Sequence, residues 1–256
     1  MIVLKSVSKD FGRGNVLDGI SLTIDPKECV CILGSGAAGK STLLSLLIGA
    51  EHPTSGSITI DGADLRTIPR PALQLFRRKV GIVFQDAKLL STRTVAENIA
   101  FPMETNGDSD EKIEKRVREL LRRMNLVECA NALPHQLSAG EIARTAVARA
   151  VAHAPLIVIA DEPLRNLDLA DAENTLRLFH ELSAAGTTLI VMTRDASLAE
   201  ALRARVIRLE RGKIVAEGKR ETRRDEMVQT PGELVKTHIE AIEKRRKVRV
   251  TAIHSE

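Results

Sequence analysis

The chain has 256 residues, 43% hydrophobic and 28% charged, enough to bury one large core or two small ones. Its formal net charge of +4 is mild and lies mostly toward the C-terminus, and five Phe with no Trp or Tyr argue against a nucleic-acid platform built on stacked aromatic rings. No run approaches the roughly 18 apolar residues of a membrane span, and the four-residue apolar start of MIVLKSVSKDFG reads as no secretory leader.

In chain order, Ile2-Val3-Leu4 and residues 19–24 and 57–60 read as short strands with turn signals such as Asp61-Gly62. They predict an antiparallel sheet beside a parallel one. Residues 29–33 (CVCIL), 156–160 (LIVIA) and 188–192 (TLIVM) are apolar without polar alternation, as in parallel strands covered on both faces. Each is followed by a helical pattern, over 40–49, 169–185 and 196–204. Strand, helix, strand at this spacing predicts an α/β fold with right-handed crossovers. Cys29 and Cys31 sit two apart on one strand and so share a face, in the core. With Cys129 they make no disulfide framework, which reads as a reducing compartment.

Residues 110–130 carry Ile113, Val117, Leu120, Leu121 and Met124 at helical spacing, and residues 138–153 form a second helix with Ser138 as N-cap. Together they predict a helical insert over about 87–153. Residues 219–256 change character. Thr230-Pro231-Gly232-Glu233 is a capping box, and Leu234, Val235, His238, Ile239 and Ile242 follow at helical spacing before the basic run KRRKVR. This predicts a basic C-terminal appendage with one amphipathic helix, either a solvated tail or a contact for a membrane surface or partner.

The segment GSGAAGKST (34–42) follows the strand 29–33 and opens a helix, satisfying G-x-x-x-x-G-K-[ST] through Gly34, Gly39, Lys40 and Ser41. In such a loop successive backbone N–H groups wrap phosphates at the positive end of a helix. Lys40 reaches the β- and γ-phosphates, and the Ser41 hydroxyl is offered to Mg²⁺. LIVIADEP supplies the complementary strand end, with Asp161 placed to hold Mg²⁺ and Glu162 to polarise an attacking water. An Asp-Glu pair at a buried strand end is costly without a cation, which favours chemistry over ornament.

LSAGE (137–141), Gln85 in VFQD, Asn166-Leu167-Asp168 and the strand end Thr193-Arg194-Asp195 complete an ordered set. Over roughly residues 1–218 this resembles the nucleotide-binding domain of ABC ATPases. The words RRKVGIVFQDAKLL, TVAENIAFP and ADEPxxNLD are similar to those of the cell-division FtsE subfamily and of the related lipoprotein-releasing and macrolide-efflux ATPases. The resemblance implies a P-loop NTPase fold with a mostly parallel core sheet, an N-terminal antiparallel β subdomain and a helical insert. It implies two such domains packed head to tail, as a homodimer or a heterodimer, around two molecules of ATP with Mg²⁺. Gly34, Ser35, Gly36, Ala37, Ala38, Gly39, Lys40, Ser41 and Thr42 would line the nucleotide, and Phe11 in KDFGRG would stack on adenine. Ser138 and Gly140 would reach the γ-phosphate of the opposite subunit. Asp168 would lie on the loop that crosses the interface. Ser41, Gln85 and Asp161 would serve the metal, and Glu162, Gln85, Arg194 and Lys40 the chemistry. Taken singly, Phe11 also reads as core and Ser138 as a helix cap. The implied partner is an integral membrane protein, FtsX-like or a permease subunit, received along residues 86–101. That places the chain peripherally on the cytoplasmic face of the inner membrane, with no nucleic-acid partner.

The sequence departs from the family at the nucleotide machinery. Arg194 stands where the family carries His. An imidazole can donate and accept, whereas a guanidinium only donates and is always charged. Arg194 either contacts the γ-phosphate or swings out and contributes nothing. Ala37 stands in place of Gly, at a cost of about 1–2 kcal/mol if that position needs positive φ, unless Gly36 absorbs the strain. Ala139, Ile142-Ala143 and Leu164-Arg165 replace further family residues. The expectation is MgATP binding with hydrolysis that is slow. The alternative is a catalytically weak ATP-binding module that dimerises without efficient turnover. A soluble nucleic-acid-associated ATPase is disfavoured, because neither a long coiled-coil insert nor tandem domains fit this length.

Overall fold

The computed structural model describes residues 1–218. The appendage expected over 219–256 lies outside the described residues. The chain opens with β1 (Ile2–Asp10) and β2 (Asn15–Ile24), joins the central sheet at β3 (Cys29–Leu33) and enters α1 (Lys40–Leu47). It returns to the first sheet as β4 (Ser55–Ile60) and β5 (Ala63–Asp64), passes through α2 (Arg70–Arg77) and re-enters the central sheet at β6 (Val80–Val83). The helices α3 (Val95–Asn106), α4 (Asp110–Arg123) and α5 (Ala139–Val151) intervene before β7 (Ile157–Asp161). Then come α6 (Leu169–Ala184), β8 (Thr188–Thr193), α7 (Ala196–Ala201) and the hairpin β9 (Arg205–Glu210) and β10 (Lys213–Glu217).

Two sheets result. One is antiparallel, ordered β2-β1-β4-β5; the other is ordered β10-β9-β3-β8-β7-β6, with β10 its antiparallel edge and the remaining pairings parallel. The continuous apolar strands have a direct cause. Val158, Ala160, Leu189 and Val191 pack into one core with the helices α3 to α6, while Ile159, Ile190 and Met192 pack into another with α1 and the antiparallel sheet. Successive side chains alternate faces, and both faces are covered, so the middle of these strands is apolar and polar residues stand only at their ends, Asp161 on β7 and Thr188 and Thr193 on β8.

Several boundaries differ from the sequence reading. The strands β1 and β2 are longer than the apolar words suggested, because their outer residues pair with each other across the sheet edge. The helix expected to run to 130 stops at Arg123, where Asn125 turns left-handed (φ 51°) and Leu126 N–H bonds the Leu121 carbonyl. The one expected to run to 204 stops at Ala201, ahead of Arg203 at φ 49°. Leu156 lies outside its strand and is exposed; β7 starts one residue later and extends to Asp161. Cys31 is buried and Cys29 half-buried; both thiols are free, and burial pushes each to about 12.

The helix α5 lies directly against β6, so closely that a Cβ on Gly81 would stand 2.0 Å from the Ala150 carbonyl oxygen. Gly81→Ala is therefore expected to cost about 1–3 kcal/mol, the usual penalty for added volume in a packed interior. The check is the urea unfolding midpoint; an unchanged midpoint would show that this contact yields freely.

Candidate functional site

The site is assembled where β3, β7 and β8 end together. Parallel register places Leu33 opposite Thr193 and Asp161 opposite Met192, so the residues leaving these strands converge. The phosphate loop leaves β3 at Gly34. The left-handed position in the loop is Gly39 (φ 100°), where a Cβ would also stand 2.7 Å from the Leu17 side chain. Ala37 is not left-handed, so the conditional strain attached to it does not arise.

Lys40 is 4% exposed and donates to the carbonyls of Gly34 (2.8 Å) and Ser35 (2.9 Å), which share its charge in place of water. Its Nζ is 3.6 Å from Glu162 Oε1. Ser41 Oγ donates to Asp161 Oδ2 at 2.5 Å. Asp161 is 2% exposed, and its other oxygen, Oδ1, is buried with no hydrogen-bond partner. Burial raises the Asp161 carboxyl above its ordinary value, while the Ser41 hydroxyl and the Lys40 ammonium pull the other way. A buried carboxylate with one orphaned oxygen beside a serine hydroxyl is the donor set a hard divalent cation takes, so these residues fit Mg²⁺.

Glu162 adopts φ 51°, and its N–H bonds the Met192 carbonyl at 2.8 Å, so the backbone conformation is held from the neighbouring strand. Its carboxylate accepts from Thr193 Oγ1 at 3.2 Å and from Arg194 Nε at 3.3 Å. The Arg194 side chain turns inward, pairs with Glu162 and lays its guanidinium about 3.5 Å from where a Cβ on Gly36 would stand. It is 54% exposed, so solvent screens the pair and its contribution to stability is small.

Apart from Gln85, which shares a cleft with Glu162, the expected residues of the other segments lie outside this cluster. Phe11 is 55% exposed on the β1–β2 turn, with Lys9 Nζ 4.7 Å above its ring, and is not core. Ser138 caps α5, exchanging hydrogen bonds with Glu141 in a capping box. Gly140 follows it on that helix, near the Asn166 carbonyl. Asp168 caps α6 through Asp171 N–H, and Arg144 pairs with Asp171, tying the two helix starts together. Gln85 is exposed and shares a cleft of about 170 Å³ with Ala139, Glu162 and Arg165.

Two residues the sequence reading passed over hold the loop after Gln85. Asn98, fully buried on α3, accepts from Leu90 N–H and donates to the carbonyls of Leu90, Arg93 and Thr94. Arg149 on α5 donates to the carbonyls of Ala87 (2.6 Å) and Lys88 (2.8 Å), both left-handed at φ 59° and 47°. The available signal was an Asn amid the apolar residues of ENIAF, which a buried position demands be bonded.

A protein-family profile described as ABC transporter matches residues 17–165. The chain belongs to the ABC transporter family. This ABC ATPase is 41% identical over 221 residues to the cell division ATP-binding protein FtsE of Bacillus subtilis (strain 168), covering 86% of the chain and 97% of the relative. It is 40% identical over 221 residues to the methionine import ATP-binding protein MetN of Leifsonia xyli, covering 85% of the chain and 65% of that longer relative. Among solved structures, the dimeric bacterial ABC transporter cassette MJ0796 superposes with a TM-score of 0.80 at 34% identity, covering 87% of this chain and all of that one. The same cassette in a post-hydrolysis dimer bound to ADP and Pi gives a TM-score of 0.79. The resemblance to ABC ATPases of FtsE type read from the sequence is borne out.

The Asp161 carboxyl has a definite sign in linkage. An acid whose folded pKa is raised penalises the fold above that pKa, and the penalty is relieved as pH falls through it. In chelator at neutral pH, Asp161→Asn is accordingly expected to melt at or above the wild-type temperature and to lack the stability gain expected of wild type on mild acidification. Thermal melts with and without MgATP are the check: the variant should also lose the magnesium-dependent increment, and a variant that melts well below wild type in chelator would contradict the account.

Proposed function

We propose that this ABC ATPase is the motor subunit of a membrane complex, closing with a second ATPase domain around MgATP and driving a separate integral membrane protein. The carrying observation is the convergence of Lys40, Ser41, Asp161, Glu162 and Arg194 at three strand ends. In this reading the backbone of Gly34 to Thr42 and the Lys40 ammonium hold the phosphates, and Phe11, exposed and close in sequence to the loop's neighbour β2, receives the adenine. Ser41, Asp161 and Gln85 hold Mg²⁺, which supplies charge neutralisation on the phosphate oxygens when bound. Glu162 takes a hydrogen bond from the attacking water and orients it toward the terminal phosphate. Ser138, Gly140 and Asp168, each at the exposed start of a helix, serve the opposite subunit's nucleotide. The dimeric MJ0796 structures support this pairing.

The partner is of FtsX or permease type, met along residues 86–101 on the cytoplasmic face, where Asn98 and Arg149 keep the loop in one shape. The FtsE relatives, named for cell division in Bacillus subtilis and in Escherichia coli at 38% identity, favour a role of that kind over import. Turnover is slow in this reading. Arg194 Nε occupies the Glu162 oxygen on which a water must act, and a cation that binds ground and transition states alike does not raise kcat. The same pair is what favours the second reading, a weakly catalytic module that closes on ATP to hold a complex together.

Steady-state phosphate release separates the two. A working base makes Glu162→Gln lose about 100-fold or more in kcat; equal rates in wild type and variant would establish the structural role. Arg194→His, which frees the Glu162 oxygen and restores a group that can accept as well as donate, is expected to raise kcat several-fold. An unchanged or lower kcat, with circular dichroism and melting temperature preserved, would remove Arg194 as the cause of slow turnover.

A further inference from the structure

Beside the phosphate loop, on the side of β8 and β9, lies a cavity of about 430 Å³ bordered by Gly34, Ser35, Arg194, Arg208, Glu210 and Arg211. We propose that it is a second anion site, for phosphate, adjoining the nucleotide cradle across Gly34 and Ser35 and joined to it through Arg194. The proposal deepens the motor reading, since a phosphate cleaved at the cradle would be the anion nearest to hand.

Three observations carry it. First, three arginines border one cavity with a single acidic residue, Glu210, among them, and among the described residues neither Arg208 nor Arg211 makes an ion pair. Like charges gathered with less than matching counter-charge repel, and a bound anion relieves that cost. Second, the backbone that carries both arginines is held in place, while their side chains are exposed. Arg208 stands on β9 opposite Leu33, the residue that leads into Gly34. Arg211 (φ 46°) and Gly212 (φ 77°) make the tight β9–β10 turn, which is stitched to the loop by Gly212 N–H to the Ala38 carbonyl (3.1 Å) and to β2 by Asp18 N–H to the Gly212 carbonyl (2.8 Å). A Cβ at Gly212 would stand 2.5 Å from the Val16 carbonyl, so the turn has little room to shift. Third, Arg194 belongs to two places at once: it pairs with Glu162 and also borders this cavity.

The ligand class follows from the chemistry. A planar guanidinium fork matches the paired oxygens of phosphate, and several forks around one space suit a dianion better than a single carboxylate. Glu210 at the border opposes retention, which favours passage over tight storage. An anion there draws Arg194 away from Glu162, so that departure of phosphate and return of the arginine to the base become linked.

The test uses the full chain saturated with MgADP and inorganic phosphate as the probe, comparing wild type with Arg208→Ala/Arg211→Ala. Arg118→Ala/Arg122→Ala on α4 controls for the same loss of charge. Equilibrium binding of phosphate should weaken about tenfold or more in the first variant and remain near wild type in the control, with the KM for ATP unchanged. In single turnover, a phosphate-binding reporter read beside quenched-flow cleavage should show release moved in time relative to cleavage. A change in the equilibrium arm alone assigns the site to phosphate from the medium, and a change in both assigns it to the product as well. Phosphate binding unmoved by the substitutions overturns the proposal. So does phosphate that competes strictly with nucleotide, which would leave the cradle as the one seat, and so does a variant that keeps phosphate but loses ATP-driven self-association, which would give these arginines to an acidic side chain of a second copy. None of these outcomes depends on Glu162 being a working base, so the motor reading stands or falls separately.

Discussion

The structure depends on burying opposite charges at the ends of three parallel strands. Lys40 and Asp161 are both almost inaccessible, and neither could remain so alone. The lysine is accommodated by two loop carbonyls and by Glu162, the aspartate by the Ser41 hydroxyl. One demand stays unmet, the second Asp161 oxygen, and it is the demand a divalent cation answers. The parallel register of β3, β7 and β8 makes this possible, because strands running the same way deliver their ends, and the chain leaving them, to one edge of the sheet. The apolar packing on both faces then keeps that edge from spreading.

Part of the chain's backbone strain lies near the same edge. Glu162 and Asn166 are left-handed without being glycine, and so are Ala87 and Lys88 just beyond Gln85. Three of the four are held by hydrogen bonds from elsewhere: Glu162 by the Met192 carbonyl, Ala87 and Lys88 by Arg149. Arg149 reaches these carbonyls from the helix that Ser138 caps, and Arg144, one turn and a little before it, binds the helix that Asp168 caps. The loop that would meet a membrane partner and the helix starts that would meet a second subunit are therefore fastened to one rigid element, α5. Movement at one has a physical route to the other through packed backbone contacts rather than through a flexible linker.

Against this ordinary frame the departures gather near the reacting atoms. The Ala37 substitution is harmless because the loop takes its left-handed turn at Gly39. Arg194 is different: it converts a strand end into a second cation on Glu162 and brings a third arginine to the cavity shared with Arg208 and Arg211. A permanently charged group that can bond either a carboxylate or a phosphate makes the state of the base depend on where anions sit.

Much of the site was legible in the chain itself. GSGAAGKST after an apolar strand, ADE at the end of another and LSAGE before a helix declare their partners, since a phosphate cradle, a buried acid pair and a capped helix each need residues in fixed local order. Local order also made Arg194 conspicuous as the odd residue. Its direction was not legible, because whether a strand-end side chain points inward depends on Glu162, 32 residues earlier, and on register across β7 and β8. Nor were Arg208, Arg211, Asn98 and Arg149, which look like ordinary polar residues until sheet order and helix packing bring them against the loops. Sequence by itself determined which chemistries were available, through the residue types that short segments bring together. Tertiary structure decided which charges share one edge of the sheet, because that is set by pairing between strands far apart in the chain, and local pattern carries no record of it.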